Sequence, residues 1–333
     1  MPMCGSQMPI CDVPIRFDTY SGCSHACTYC FVKRLSDIRE VGLGESISSL
    51  ENFVKGNRTK NTAWCDWDIP LHWGGVSDPF QPCELLHRRS LEALRIFKLY
   101  NYPFIVSTKS ILPIKEEYKA ELNGSNCVFQ ISMVSSEYDK FETGASTYAQ
   151  RLDMAKIISP LVKRLIVRIQ PFVPEVEKSV IKNIPLLKEA GVYGVVLEGM
   201  KYRTKRENTE KWYGDYVLKK DILRSSFERI KKECHKYGLV FLCGENRLRS
   251  MGDSLTCCGC GELEGFRVNT YNINSFNCGR APLKTQAQTK IGTAGGFITV
   301  CQGMEHKYGL ALEKASFSET MERYYRTHKN IIG

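Results

Sequence analysis

Three cysteines, Cys23, Cys27 and Cys30, stand at Cys-x3-Cys-x2-Cys spacing inside Ser21-Gly22-Cys23-Ser24-His25-Ala26-Cys27-Thr28-Tyr29-Cys30-Phe31. Thiolates this close in sequence can wrap one compact iron–sulfur cluster. A four-iron cubane usually takes four cysteines. Three leave one iron without a protein ligand, and an open metal position is where chemistry happens. Tyr29 and Phe31 flank the last cysteine and give it a partly apolar wall. A structural zinc site is the competing reading, but such sites mostly use two separated ligand pairs, and no close pair follows this run.

A second group of thiols lies later in the chain. Cys257 and Cys260 form a Cys-x2-Cys pair, with Cys243 before it and Cys278 after it. Cys243, Cys257, Cys260 and Cys278 are a candidate four-thiolate site for zinc or a second cluster. Cys258 is an alternative to Cys257, and Cys301 lies beyond. Reduced structural cysteines around a glycine-rich loop are the plainer reading. Cys4 and Cys11 are poorly framed as ligands and read as free or buried thiols.

The 333 residues include 15 cysteines, and the N-terminus, Met1-Pro2-Met3-Cys4-Gly5, has no basic region followed by an apolar one. That combination points to metal and a reducing cytoplasm rather than secretion and disulfides. No uninterrupted apolar run approaches the roughly 20 residues that span a bilayer, so no membrane partner is expected. The formal net charge of +10 favours an acidic partner such as nucleic acid.

The elements that must position the cysteines follow from periodicity. Strands are expected near residues 15, 69, 103, 127, 165 and 192, alternating with helical segments at 84–100, 147–159 and 176–190. Six βα units predict an α/β fold with a parallel partial barrel, in which strand C-termini carry the chemistry. The cluster loop follows the first strand. The second strand runs through Trp67-Asp68-Ile69-Pro70-Leu71-His72-Trp73 to the pair Gly74-Gly75, where backbone can approach a ligand closely. Lys109, Ser132, Gln170 and Glu198 close later strands, and Arg168 and Gln170 share one strand face. A helix at 219–237 and a strand at 239–243 lead into a cysteine-rich extension. An exposed loop at 284–304 and a short helix at 317–325 are expected there. Domains are drawn at 1–240 for the barrel core and 241–333 for the extension.

Taken with its flanks, Gly22-Cys23-x-His25-x-Cys27-x-Tyr29-Cys30 resembles the cluster loop of the radical S-adenosylmethionine (SAM) superfamily, whose pattern is Cys-x3-Cys-x-aromatic-Cys. It is most similar to the branch of spore photoproduct lyases and DNA-repair-photolyase-like proteins. Ser77-Asp78-Pro79-Phe80-Gln81-Pro82-x-Glu84 resembles that branch as well. The resemblance covers roughly residues 15–200 and implies a (β/α)6 partial TIM-like barrel. It implies a [4Fe–4S] cluster on Cys23, Cys27 and Cys30, with SAM chelated by the open iron and cleaved reductively to a radical that abstracts hydrogen from substrate. It places the SAM amino group at Gly74 and Gly75, near Ser77, and the SAM carboxylate at Lys109. Ser132 becomes a candidate ribose contact. Glu142 and Arg151 resemble a family Glu-Pro-x6-Arg run, with Thr143 in place of the usual proline and seven residues between it and Arg151; a helix-surface ion pair is the alternative. A flavodoxin or ferredoxin reductant is implied, and auxiliary clusters are frequent in the superfamily.

The substrate implied is a nucleic-acid base or nucleotide. Lys201-Tyr202-Arg203-Thr204-Lys205-Arg206 and Lys211-Trp212-Tyr213 interleave basic and aromatic residues, which suits phosphate and base contacts; a solvated loop is the plain alternative. One departure bears on the reaction. The lyase has a hydrogen-donating cysteine just upstream of its Ser-Asp pair, where this chain has Gly75 or Val76. Modification of a nucleic-acid base, or of a metabolite or peptide, rather than spore photoproduct repair is therefore expected. The reading from another class is a non-catalytic iron–sulfur or zinc protein that binds nucleic acid. A metal-dependent hydrolase lacks a paired His/carboxylate constellation.

Overall fold

The computed structural model describes residues 2–4, 11–34, 40–57, 69–212 and 215–268. Seven parallel strands alternate with six helices: β1 (Ile15–Phe17), α1 (Ile47–Val54), β2 (Leu71–Trp73), α2 (Arg89–Leu99), β3 (Phe104–Thr108), α3 (Glu116–Leu122), β4 (Cys127–Ser132), α4 (Tyr148–Ile158), β5 (Arg164–Phe172), α5 (Glu177–Glu189), β6 (Gly194–Gly199), α6 (Lys220–Lys236) and β7 (Val240–Cys243). The strands pair in chain order in one sheet. Met3–Cys4 adds an antiparallel eighth strand on the β1 edge. No pairing joins β1 to β7, so the barrel is partial. The six expected βα units are present, and the strand at 240–243 extends them by a seventh.

Alternation sorts each strand into two faces. The outward residues Phe17, Trp73, Phe104, Phe129, Val167, Leu197 and Phe241 pack under the helices in one large core. Trp73 sits amid Phe17, Phe80, Phe97 and Phe104, with ring centroids 5.6–6.2 Å away. Burying one such side chain stabilises the fold by about 1.5–3 kcal/mol.

The inner face has an apolar floor and a polar upper layer. Ile105, Val128, Ile166, Val196 and Leu242 form the floor, and it is covered by Val13 and by Cys258, Cys260 and Phe266 from the extension. The boundary expected at 240/241 falls at the start of β7, and the described part of the extension is continuous with this inner core. Cys278, the loop at 284–304 and the helix at 317–325 lie outside the described residues.

One expected helix is divided. The segment at 84–100 breaks at Arg88, which has φ +55°, into a turn at Glu84–His87 and α2. The cause is the buried Glu84 carboxylate. It accepts from Ser90 N at 2.8 Å and Leu91 N at 2.9 Å, which are free donors at the start of α2. An anion at that end also complements the helix dipole. The same carboxylate accepts from Tyr118 Oη at 2.9 Å and from Tyr20 Oη. Among the described residues no helix is long and apolar enough to cross a membrane.

Candidate functional site

The strand C-termini surround a basin. Asp18, Gly74, Gly75, Lys109, Ser132, Arg168, Gln170 and Glu198 are all half-buried there, whereas the outward-facing residues between them are buried. The loop of Cys23, Cys27 and Cys30 rises directly from β1 at the rim. Its shape comes from non-cysteine anchors. Gln81 accepts from Ser24 N at 2.8 Å and donates to Gly22 O at 3.1 Å. Thr28 N donates to Phe141 O at 2.9 Å, and Gly144 N donates to His25 O at 3.0 Å. Gly144 must be glycine, because a Cβ would stand 2.5 Å from Ser24 O.

Asp78 ties this loop to the sheet. Its carboxylate meets His25 Nε2 at 3.0 Å and accepts from Thr108 Oγ1 at 2.8 Å, Phe80 N at 2.9 Å and Lys109 N at 2.7 Å. His25 Nδ1 lies 2.8 Å from Gly144 O. Burial opposes charge on both groups, but their mutual attraction wins, so Asp78 is held below its ordinary value and His25 above its own. Ser77, expected beside SAM, uses its hydroxyl to donate to Tyr20 O at 2.6 Å. The Ser77–Glu84 run is thus a set of buried braces under the loop.

Glu142 is the second anchor. It accepts from Tyr29 Oη and from the Arg151 guanidinium, and Lys109 Nζ stands 3.4 Å away. Lys109 Nζ also lies 5.6 Å from the centroid of the Tyr29 ring. Arg151 and Glu142 are 0% and 2% exposed, so they are not a helix-surface pair. Arg151 also donates to Ser132 O at 2.5 Å, which fixes the end of β4. Burial alone would raise the Glu142 carboxyl; Lys109 and Arg151 outweigh it and hold it below its ordinary range.

Gly74 and Gly75 differ. Gly74 has φ +81° and its missing Cβ would stand 2.5 Å from Ser107 O, so the backbone itself needs glycine. At Gly75 a Cβ would meet only Arg16 Cδ at 3.9 Å, which leaves its backbone open to the basin. Across the basin Arg168 donates to Gln130 Oε1 at 3.2 Å and to Gln170 Oε1. Glu198 pairs with Lys201 Nζ at 2.8 Å. Burial would raise Glu198, but Lys201 and Arg168 hold it low. Phe31 is 46% exposed at the outer edge of the loop.

Burial pushes Cys23 up to about 12 and Cys27 up to about 11, so the protein alone keeps them protonated. Backbone N–H groups of His25 and Asp78 face Cys23 Sγ and favour its thiolate. A coordinated cation deprotonates such thiols outright. Among the described residues no three His, Cys, Asp or Glu side chains are grouped so as to hold a metal ion. In the extension, Cys243 packs in the outer core and Cys260 in the inner one, so the structure does not bring these two onto one face of the sheet. Cys257 is half-buried, with its sulfur 4.0 Å from that of Cys258.

Sequence reasoning missed Arg16 and Asp18 as basin residues. The signal was present: Ile15-Arg16-Phe17-Asp18 alternates, and its polar members face inward. Burial lifts the Asp18 carboxyl to about 7, against N–H donors from Ser77 and Val76. Residues 201–212 belong to a small antiparallel sheet of Lys201–Tyr202, Thr209–Trp212 and Asp215–Leu218. Its basic residues Arg203, Lys205, Arg206 and Lys211 are exposed. The Trp212 ring is faced by the Arg247 guanidinium at 5.5 Å, and Tyr213 lies outside the described residues.

The architecture can be placed among known structures. A spore photoproduct lyase variant with bound S-adenosylmethionine and dinucleoside spore photoproduct superposes with a TM-score of 0.57, at 13% identity over 69% of this chain and 76% of that one. Spore photoproduct lyase complexed with dinucleoside spore photoproduct gives 0.55 at 14% identity, over the same shares. SuiB of Streptococcus suis, bound to S-adenosylmethionine, gives 0.50 at 12% identity over 71% of this chain and 51% of that one. All are radical SAM enzymes. The chain has the radical SAM fold. No family model matches the sequence, and no curated protein matches it. Cys23, Cys27 and Cys30 occupy the loop after the first parallel strand.

Proposed function

We propose that the protein is a radical SAM enzyme that abstracts hydrogen from a nucleic-acid base or nucleotide, in a modification rather than in repair of spore photoproduct. The observation that carries this reading is the placement of Cys23, Cys27 and Cys30 on a braced loop at the mouth of a partial barrel, beside the open Gly75 backbone. Cys23, Cys27 and Cys30 would hold a [4Fe–4S] cluster, and Gly74, Gly75, Lys109 and Ser132 would line the SAM site. Bound there, the cluster would supply the one electron that splits SAM, and the resulting radical would take hydrogen from substrate. The chain's own contribution is to place and shield. Asp78 and Glu142 fix the loop relative to the ends of β3 and β4, and Lys109 offers an ammonium for a carboxylate. A one-electron donor such as flavodoxin or ferredoxin would feed the site, and the exposed bases at 203–211 would meet a nucleic-acid backbone.

The test is anaerobic reconstitution followed by iron and sulfide counts, in the parent and in a Cys23/Cys27/Cys30→Ala variant. The parent should hold about four irons that the variant lacks, and with dithionite it should convert SAM to 5′-deoxyadenosine. Equal iron in both proteins, or no cleavage by the loaded parent, would sink the reading. Zinc alone in both would favour a nucleic-acid-binding metal protein.

A further inference from the structure

The small antiparallel sheet of Lys201–Tyr202, Thr209–Trp212 and Asp215–Leu218 directly follows β6 in the chain, and Lys201 Nζ ties it to Glu198 of the basin at 2.8 Å. Asp215–Leu218 is the central strand. Residues directly opposite one another on paired strands project from the same face, so the register sorts the side chains. Lys201, Val217 and Glu210 share one face with Asp215 and Trp212. That face is closed. Val217 is buried, Arg247 pairs with Glu210, and its guanidinium stands 5.5 Å from the Trp212 ring. The other face carries Tyr202, Tyr216 and Lys211 in one row across the three strands, with Thr209 and Leu218 buried at its end. Tyr202 and Tyr216 are half-buried and Lys211 is exposed. Tyr202 leans on the edge of the outer core, whereas Tyr216 belongs to neither hydrophobic cluster of the described residues. The loop between Tyr202 and Thr209 has a set shape: Arg206 N donates to Thr209 Oγ1 at 2.9 Å, and Lys219 N donates to Asn208 O at 2.9 Å. It exposes Arg203, Lys205 and Arg206 beside one carboxylate, Glu207. Among the described residues no ion pair engages Arg203, Lys205, Arg206 or Lys211.

We propose that this face is a platform for single-stranded nucleic acid, with bases laid on the Tyr202 and Tyr216 rings and phosphates held by Lys211 and the basic loop. Cations alone suit any polyanion. The aromatic row narrows the choice. A duplex keeps its bases stacked on one another and offers the sheet only its backbone, whereas a single strand has base faces free to stack on tyrosine. A free nucleotide brings one base and one phosphate group, too little to engage both rings and the row of cations. A strand held here lies beside the basin, so a base next to the bound ones can turn into it. The platform deepens the nucleic-acid reading of the site and rests on it for the link to catalysis.

The experiment uses the reconstituted protein without SAM. Fluorescein-labelled oligothymidylate and oligouridylate of about 12 nucleotides, and each of them annealed to its complement, are titrated by fluorescence anisotropy at several salt concentrations. Each single strand is expected to bind at least about tenfold more tightly than its duplex. Either sugar supports the platform on that criterion, and the tighter of the two names the polymer. Tyr216→Ala should cost about tenfold in single-strand affinity at an unchanged unfolding temperature, and Tyr216→Phe, which keeps the ring, should bind as the parent does. Tyr202→Ala should lose a similar factor; because Tyr202 also packs on the core, the Tyr216 pair keeps the test open if that variant fails to fold. Replacing Arg203, Lys205 and Arg206 together by Gln should reduce the slope of log affinity against log salt by about two. Arg229→Gln, which alters a surface pair with Glu177, should change nothing. Equal binding of strand and duplex, or a Tyr216→Ala protein that binds as tightly as the parent, overturns the platform. SAM cleavage is scored on the same preparation. Cleavage without a preference for single strands removes the platform and leaves the enzyme reading, and the converse removes the enzyme reading and leaves the platform.

Discussion

The loop of Cys23, Cys27 and Cys30 and the segment of Cys257, Cys258 and Cys260 each contain a Cys-x2-Cys pair, but the first leaves two of its three thiols part-exposed and the second buries two of its three in an apolar floor. The loop is anchored by side chains from outside it: Gln81, Asp78 and Glu142. The extension is anchored through its own carbonyls. Arg164 Nη1 donates to Gly259 O and Gly261 O, both at 2.9 Å, and Gln130 Nε2 donates to Cys258 O at 3.0 Å. Short cysteine spacing gives the capacity to bind metal in both cases. Packing differs: the extension buries Cys258 and Cys260 among apolar side chains and leaves Cys257 half-buried.

This contrast can be broken, starting where the effect is largest. Asp78→Ala removes the carboxylate that joins His25, Thr108 and Lys109. It is expected to lower the unfolding free energy by about 3–5 kcal/mol, read from urea titrations. A loss below about 1 kcal/mol would mean the loop is not held from Asp78. Gly259→Ala tests the extension. Its Cβ would stand 2.6 Å from Ile166 Cδ1 at a residue with φ +75°, so a loss of about 1–3 kcal/mol is expected. Arg164→Gln frees two carbonyls and should cost about 1–2 kcal/mol. Amide exchange should then rise over 256–266 and stay unchanged over 21–30; a rise in both would show that the two regions open together.

The smallest effect is the pH dependence of the loop. Asp78 is held below its ordinary 3.8, so its contribution is present above that value and is lost as pH falls through the lower folded value. His25 is raised above 6.5, so its contribution is complete below 6.5 and is lost as pH rises through the raised value. The parent should therefore lose stability as pH rises above 6.5, relative to His25→Asn. Parallel curves for the two proteins would mean that His25 does not change charge on folding. Asp18 acts in the same direction at lower pH. Lifted from 3.8 to about 7, it weakens the fold progressively between those values, and Asp18→Asn should remove that slope.

Much of the site was legible because strands alternate. Lys109, Ser132, Gln170 and Glu198 were placed at strand ends from periodicity and lie around one basin. The braces were less legible. Asp78 and Glu142 are close to His25 and Tyr29 only through contacts 53 and 113 residues apart in sequence, and no local period encodes such a pairing. The covering of the floor by Cys258 and Cys260 was hidden for the same reason: Gln130 reaches Cys258 across 128 residues. Short spacing in Cys-x2-Cys suggested ligands; that Cys258 and Cys260 also pack with Ile166 in the floor has no local signal.

The braces under the cluster loop bear on how the protein is made. A loop set by Gln81, Asp78, Glu142 and Gly144 keeps its shape through the polypeptide's own bonds, so it is a finished mould before any inorganic core arrives. Delivery of the proposed cluster would then follow synthesis and folding instead of guiding them. Oxidative loss of that cluster would leave a receptacle open to refilling, and a protease should find residues 21–34 as hard to cut in the metal-free chain as in a loaded one.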